Sequence, residues 1–466
     1  MAAIGLWVYR SCRRPVAGDG RRESGNPLPR DRDASSAVGH PAPQPALHRV
    51  ITLRHAVALY VSSLLGSGIF VIPGLAAQIA GPASIVSWII LSLASYPFAY
   101  TFAKLSARRP ESGGIYAFAR EGIGAGASAA TAWLFLAWAA IGAPAATLAA
   151  ASYLVYVYPL SREDIFLVAA GILLAAFVVN YLGIRFSGRV QIATVVAILA
   201  ALAVAVVASA PRTSPANYSP FLPNGLASIG TAAALIVWSY LGYENTSNVG
   251  EEFQDPERDF HRSVVISVVL VCILYVGVAV VTVGTAAYRA GGGATPFAAM
   301  VSDAFGAYAG AVVALLAVFV TFGTVNAYSA GMARVYFAAA RDGVFPWSLA
   351  RIDPKTGAPR HALNFLIVMV LASLGAFYLL RVDFVSAFLM ASGAAILTYV
   401  IGSVAGIRLL KERGARRALP WISLIVSAGL LPFIGPLLAV SLLIAGAGLA
   451  VTWALSRRVQ RIDAGG

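Results

Sequence analysis

The sequence has 466 residues, of which 59% are hydrophobic and only 12% are charged, and its formal net charge is +14. A soluble domain of this length needs more charged residues to cover its surface, so the composition excludes a soluble globular protein. Apolar stretches of about twenty residues recur along the chain, which is the length that a helix needs to cross a bilayer.

These stretches predict an all-α integral membrane protein with about twelve transmembrane helices. Residues 1–48 are rich in Arg, Pro, Gly and Ser and are predicted to form a disordered basic cytoplasmic tail. Residues 49–458 form the predicted transmembrane domain, and 459–466 form a second cytoplasmic tail. The predicted spans are 54–79, 84–106, 127–157, 163–182, 189–210, 227–250, 263–287, 307–339, 361–380, 384–408, 419–434 and 436–456.

The basic residues are distributed unevenly between the two sides of this topology. With both termini inside, nine of the 34 Lys and Arg lie in the N-terminal segment and twenty-one lie beside the other cytoplasmic segments. Such an excess is typical of cytoplasmic loops, so the charge is explained by topology and no nucleic-acid partner is predicted. Those on the outer side are Arg162, Arg212, Arg289 and Arg381.

The first span contains Gly66-Ser67-Gly68, a sequence that allows the backbone to leave helical geometry near the middle of the membrane. A half-helix that starts near Ile69 would direct its positive end and unpaired N–H groups at this point. A substrate carboxylate is the natural occupant. The alternative is a small-residue seam for close helix packing.

The sixth span is weakened at Gly242 in the same way, and it stands five helices after the first. The half-helix before Gly242 would present the backbone carbonyls of Trp238, Ser239 and Leu241, which suit an ammonium group. Interrupted helices at matching positions of two halves are typical of an inverted repeat with the binding site between them. Trp238 and Tyr240 are candidate aromatic gates, and packing against lipid or protein is the alternative for both.

Glu244 is the acidic residue that is hardest to place at a membrane surface. Such a group is costly within a membrane, so a protonation or gating role is as plausible as a structural hydrogen bond to unwound backbone. Asn326 on the eighth span is a candidate cavity-lining residue, with polar contact between helices as the alternative. Two cysteines and five histidines give no metal-binding spacing, and no cofactor is predicted.

Several ordered motifs give the chain a specific resemblance to the amino acid–polyamine–organocation permeases over about residues 50 to 460. The motifs are Gly66-Ser67-Gly68-Ile69-Phe70, Arg109-Pro110-Glu111-Ser112-Gly113-Gly114-Ile115-Tyr116, Trp238-Ser239-Tyr240-Leu241-Gly242-Tyr243-Glu244, Asp255-Pro256-Glu257-Arg258-Asp259 and the run from Ala340 to Pro346. Within that superfamily, the first-span sequence most resembles that of the bacterial methionine and branched-chain amino acid exporters.

The resemblance implies a LeuT-like fold with two inverted five-helix repeats, at about 54–210 and 227–408, and two extra helices at about 419–456. It also implies carboxylate binding at Gly66, Ser67 and Gly68, ammonium binding by the sixth-span carbonyls, and a gating role for Trp238 and Glu244. Many sodium-independent members carry a lysine in the fifth span, but Ile198 stands near that position here. A proton and a sodium ion therefore stay open as the coupling ion.

The sequence thus predicts a secondary transporter of neutral, preferentially apolar, amino acids in the cytoplasmic membrane. The third, sixth, eighth and tenth spans are expected to line its cavity. A polyamine or organic-cation transporter of the same fold is one alternative, but such a cargo favours buried acids that this sequence largely lacks. An amino-acid sensor that does not transport is another. No nucleophile–base pair or metal cluster is evident in the loops, so an enzyme is not predicted.

Overall fold

The computed structural model describes Leu53, Val57, residues 60–61, 64–108, 113–182, 184–243, 256–353 and 358–463, with the backbone alone for 184–195, 256–261, 290–292 and 458–463. The regular elements in these residues are α-helices and short 3₁₀ segments. In chain order the helices are α1 (Gly68–Ala80), α2 (Ser84–Arg108), α3 (Ile115–Gly122), α4 (Ala125–Tyr153), α5 (Arg162–Tyr181), α6 (Ile184–Ser209), α7 (Leu226–Ile236), α8 (Pro256–Gly284), α9 (Pro296–Phe305), α10 (Ala307–Arg341), α11 (Arg360–Leu380), α12 (Phe384–Leu409), α13 (Ala418–Leu430) and α14 (Leu438–Asp463).

Eight helical stretches in the described part of the chain are long and apolar enough to cross a membrane. Two of them each hold a pair of predicted spans, because the 3₁₀ turns Gly81–Ala83 and Leu431–Leu437 join their helices without a loop. The helix observed in the sixth predicted span is too short to be counted among these eight, since α7 ends at Ile236 and is followed by a 3₁₀ segment. The protein is therefore a multi-pass helical membrane protein.

The helix of the first span is interrupted at the predicted glycines. Leu64 is helical, Leu65 to Ser67 are not, and α1 begins at Gly68. The N–H of Leu65 donates to the carbonyl oxygen of Val61 at 2.8 Å. Gly66 then separates the two helical parts, which leaves the N-terminal amide end of α1 in the interior of the bundle.

The sixth span is interrupted as well, in agreement with the sequence. After α7, the 3₁₀ segment Val237–Tyr240 ends at Leu241, whose backbone is extended with φ −72° and ψ 140°. Gly242 has φ 144°, a conformation that favours glycine because it has no Cβ. Residues 244–255 lie outside the described residues, and Glu244 is among them.

Helix α4 occupies the centre of the bundle, where it packs against α10, α12, α11 and α14. Small residues make these close approaches possible. A Cβ atom on Gly448 of α14 would lie 2.1 Å from Cδ2 of Trp133 on α4, so the indole fills the space that this glycine leaves. The indole Nε1 also donates to Oγ1 of Thr452 at 3.1 Å, which fastens α14 to α4.

Two short helices were not expected from the sequence. Helix α3 lies in the connection after α2 and packs against α4 and α12, while α9 precedes α10 and contacts α8 only weakly. Both are shorter than a transmembrane span, so the twenty-residue apolar pattern cannot reveal them. Helix α14 continues to Asp463, into the segment predicted as a C-terminal tail.

Candidate functional site

An apolar cavity lies where the two interruptions meet. Its empty volume is about 630 Å³, a figure that includes space open to solvent. Five of the residues predicted for the site line it together, namely Gly66, Ser67, Gly68, Trp238 and Leu241. The other lining residues come from the first span, α4, α10 and α11: Leu64, Trp138, Ala139, Ala143, Ala146, Thr324, Val325, Tyr328, Ser329, Met332, Leu366 and Val370.

One wall of the cavity is the start of α1. Ser67 precedes the helix, and its side chain makes no capping hydrogen bond to the amides of the first turn. That turn contains no acidic residue either. The first amides of a helix have no partners within the helix and carry its positive end, so this wall is suited to an anionic group.

A second wall, which adjoins the first, is the end of the 3₁₀ segment that follows α7. Trp238 and Leu241 line the cavity, and the extended backbone of Leu241 stops the helical hydrogen-bond pattern there. The last carbonyls of a helical segment carry its negative end, so this wall is suited to a cationic group. Ser239 is buried and does not line the cavity, but its Oγ would lie 3.0 Å from a Cβ atom on Gly68.

The two interruptions are joined by one tyrosine. The hydroxyl of Tyr275 on α8 lies 2.7 Å from the carbonyl oxygen of Leu64 and 3.0 Å from that of Ser239, and it donates toward both. The carbonyl predicted at Ser239 as an ammonium ligand therefore already has a hydrogen-bond donor. Sequence reasoning missed Tyr275, because its distance of 36 residues from Ser239 leaves no local signal.

Tyr240 lies behind the cavity wall. Its hydroxyl is 2.7 Å from Oγ of Ser92, and its ring packs at 5.9 Å from that of Trp88 and 5.1 Å from that of Tyr275. The sequence proposed Tyr240 as a gate; the structure places it in this aromatic cluster, where it does not line the cavity.

Asn326 is fully buried on α10, and its backbone oxygen accepts a hydrogen bond of 2.9 Å from Nδ2 of Asn180. Its neighbours Thr324, Val325, Tyr328 and Ser329 line the cavity. The cavity therefore lies beside the expected helix, where the neighbours of Asn326 line it and Asn326 itself is not among the lining residues.

For α4, the sequence predicted that the helix lines the cavity but did not name the residues that do so. Ala139, Ala143 and Ala146 share one face of α4 at spacings of four and three residues, and this small-residue pattern was the signal that could have found them. The lining also includes Leu366 and Val370 of α11, the ninth predicted span. The tenth, α12, places Phe388 behind Trp238 with ring centroids 5.5 Å apart.

The described lining residues include no charged side chain. Ile198, which stands near the position of the lysine in many sodium-independent members, is fully buried in α6. The cavity therefore offers a ligand two oppositely polarised backbone ends and, around them, apolar side chains with a few hydroxyl groups. A zwitterion with an uncharged side chain fits this arrangement.

Outside the spans, Asp342 at the end of α10 ties α3 to the bundle. Its carboxylate forms an ion pair with Arg120 and accepts a hydrogen bond of 2.7 Å from the hydroxyl of Tyr116. Burial, followed by this contact with Asp342, raises the pKa of Tyr116. Asp342, within the charged run from Ala340 to Pro346, is thus paired with two residues of α3.

The comparisons with known proteins agree with this geometry. The family model for amino acid permeases matches residues 51–457. The chain is 30% identical over 369 residues to the uncharacterized amino acid permease YecA of Bacillus subtilis, with 79% of this chain and 87% of the relative covered. It is 29% identical over 370 residues to the L-methionine/branched-chain amino acid exporter YjeH of Escherichia coli, covering 79% and 88%.

The branched-chain amino acid permease BcaP of Bacillus subtilis is 26% identical over 363 residues, covering 73% of this chain and 77% of the relative. These three relatives are named as permeases or exporters and not as enzymes. The resemblance stated from the motifs is confirmed, as is the prediction that the chain is not an enzyme. An apolar cavity between two interrupted helices and a family match over nearly all of the described chain lead to one conclusion: this protein belongs to the amino acid permease family.

Proposed function

We propose that this chain is a secondary transporter that moves neutral, apolar amino acids across the membrane by alternating access. The observation that carries the proposal is the convergence of both helix interruptions on one apolar cavity without charged lining residues in the described part of the chain. The amide end at Gly66, Ser67 and Gly68 binds the substrate carboxylate. The carbonyl end at Trp238 and Leu241 binds the ammonium group, with Ser239 directly behind it.

The side-chain preference follows from the rest of the lining. Ala143, Met332, Leu366 and Val370 surround the cavity with apolar surface, and desolvating a charged side chain there without a partner would be costly. This favours amino acids with aliphatic or thioether side chains over polyamines and other organic cations. Two relatives are named for methionine or branched-chain amino acids, which supports the same substrate class.

We propose a LeuT-like arrangement for the bundle, with repeats at about 54–210 and 227–408 and two additional helices at about 419–456. The interruptions in the first and sixth spans occupy matching positions in these repeats, which supports the arrangement. The excess of Lys and Arg in the predicted inner segments supports cytoplasmic termini, including the tail 1–48, and insertion in the cytoplasmic membrane.

Four further roles complete the proposal. Trp238 gates the cavity that it lines, and Tyr240 supports that gate from the adjacent aromatic cluster. Asn326 holds α10 against α5 through Asn180 and so maintains the wall beside the site. Glu244 responds to the proton or ion that drives the cycle, and uptake under an imposed proton gradient or sodium gradient distinguishes these coupling ions.

The experiment is uptake of labelled amino acids into proteoliposomes that contain the full chain. We expect leucine, methionine and valine to accumulate above the level of empty vesicles, and lysine, glutamate and spermidine not to. A folded protein that moves none of the panel, or that moves spermidine alone, would overturn the proposal. Binding without counterflow exchange would assign the chain to a sensor instead.

A paired variant tests the site itself. A Cβ on Gly68 would lie 2.7 Å from Cδ1 of Trp238, so Gly68→Ala crowds the amide end of the cavity. Overpacking of this kind costs about 1–3 kcal/mol, and where that cost falls on the substrate complex we expect KM to increase by about fivefold to 150-fold. Gly375→Ala on α11 is the matched control, because a Cβ there meets open space. Equal kinetics for both variants would count against this site.

A further inference from the structure

The indole of Trp238 lies between two glycines on different helices. A Cβ on Gly68 would lie 2.7 Å from its Cδ1 and 3.3 Å from its Nε1, at the pyrrole edge. A Cβ on Gly142 of α4 would lie 2.1 Å from Cη2 and 2.4 Å from Cζ3, at the benzene edge. The indole therefore fills the whole distance between the first-span interruption and α4.

Three sides of this space are closed. Phe388 of α12 packs against the indole at a centroid distance of 5.5 Å, and the backbones of Gly68 and Gly142 close its two edges. Trp238 is half-buried, and its exposed part faces the cavity that it lines. An indole that is pushed away from α4 can therefore move only into the space that a substrate side chain would use.

The other small residues on α4 mark the same region. Ala139, Ala143 and Ala146 line the cavity directly, whereas Gly142 is buried against the indole and does not line it. Gly142 thus acts on the cavity only through Trp238. Its missing side chain determines how far the indole withdraws from the cavity.

We propose that Gly142 is a positioning residue that sets the largest substrate side chain the cavity accepts, because it provides the space into which the Trp238 indole withdraws. The inference rests on the proposed function and adds a size limit to it. Long aliphatic side chains need the withdrawn indole. Alanine does not need it, since its methyl group leaves most of the cavity empty.

The test is competitive uptake of leucine and alanine by proteoliposomes with wild-type protein and with Gly142→Ala. We expect the ratio of kcat/KM for leucine to that for alanine to fall by about tenfold or more in the variant, since one methylene in an apolar pocket is worth about that factor. Gly171→Ala on α5 is the matched control, because a Cβ there meets open space and its ratio stays at the wild-type value.

Rescue separates positioning from general damage to α4. Trp238→Phe removes the atoms that a Cβ on residue 142 would meet, so the double variant Gly142→Ala/Trp238→Phe should regain leucine uptake relative to alanine. An unchanged ratio in Gly142→Ala, or no recovery in the double variant, overturns the inference. If Gly142→Ala does not fold, Trp238→Phe alone must raise the ratio for phenylalanine over leucine, and no rise overturns the inference. Wild-type protein that moves no amino acid overturns the proposed function instead.

Discussion

At the scale of single residues, the Tyr275 hydroxyl is the group that connects the two helix interruptions. It donates toward the carbonyl oxygens of Leu64, the last helical residue before the first interruption, and of Ser239, near the end of the 3₁₀ segment before the second. We expect Tyr275→Phe to lower the free energy of unfolding by about 1–3 kcal/mol, because two buried carbonyls lose a hydrogen bond, although that of Leu64 keeps the one from the N–H of Gly66. Thermal unfolding of the purified protein in detergent measures the change.

The chain offers a matched control for this variant in Tyr336. Both tyrosines are fully buried, but the hydroxyl of Tyr336 has no hydrogen-bond partner among the described residues. Removing that hydroxyl leaves no group unsatisfied, so Tyr336→Phe should leave the unfolding free energy nearly unchanged. Similar losses in the two variants would show that the loss does not come from the two hydrogen bonds of Tyr275.

The predictability of the site differs from residue to residue. Gly66, Gly68 and Trp238 could be predicted because glycines within an apolar span weaken a helix locally, and the resulting interruption exposes backbone groups. Gly142 and Tyr275 could not be, because each is ordinary in its own helix and gains its role only from a partner distant in the chain. The sequence predicted Tyr240 as a gate, but its ring packs against Trp88 and Tyr275 and does not line the cavity.

At the scale of helices, Asp383 caps α12. Its carboxylate accepts hydrogen bonds of 2.9 Å from the backbone N–H of Ser386 and 2.6 Å from the hydroxyl of that residue. Burial raises the pKa of this carboxyl, but the hydrogen bonds from Ser386 and from the backbone of Asp383 and Val385 together lower it by more, so the pKa lies below the ordinary value of 3.8. We expect Asp383→Ala to cost about 1 kcal/mol near neutral pH, as loss of an N-cap does.

The sign of the pH dependence follows from the lowered pKa. The folded protein binds this proton less readily than the unfolded chain does, so the contribution is complete above pH 3.8 and is lost as the pH falls below it. Unfolding of wild type and Asp383→Ala should therefore converge in acid. The exposed Asp303 serves as control through Asp303→Ala, since its 3.7 Å pair with Arg212 is weak. A difference that is constant from neutral pH into acid would contradict the capping role.

The helices that the sequence predicts well are long and uninterrupted. Helices α10, α11 and α12 start and end within two residues of the predicted spans, because hydropathy changes sharply where a span leaves the membrane. The sixth span is predicted less well, since α7 ends at Ile236 while the apolar sequence continues. Hydropathy reports burial in lipid or protein and does not distinguish a helix from extended backbone that is buried beside a cavity.

At the scale of the whole molecule, the topology can be tested with the native cysteines. Cys12 lies in the predicted cytoplasmic tail, and Cys272 lies within α8. In a Cys272→Ala background, we expect an impermeant maleimide to leave Cys12 unlabelled in intact cells and to label it after lysis. Labelling of Cys12 from outside would reverse the proposed orientation.

The matching outer-side reporter is Tyr158→Cys in a background without Cys12 and Cys272. Tyr158 is exposed in the connection between α4 and α5, which the proposed topology places outside. We expect this cysteine to react in intact cells. Amino acid uptake by the same variant should equal that of the background protein, because Tyr158 lies away from the cavity.

The attachment of α14 to α4 has a consequence for how the chain is made. Trp133 is synthesised 319 residues before Thr452, its hydrogen-bond partner. Until α14 is synthesised, the indole N–H of Trp133 on α4 lacks its partner Thr452, and the groove that Gly448 provides for the ring does not yet exist. The packing around α4 is thus complete only after α14 has been synthesised and inserted. Chains that terminate before Gly448 would expose an incompletely packed α4 to the quality-control machinery of the cell.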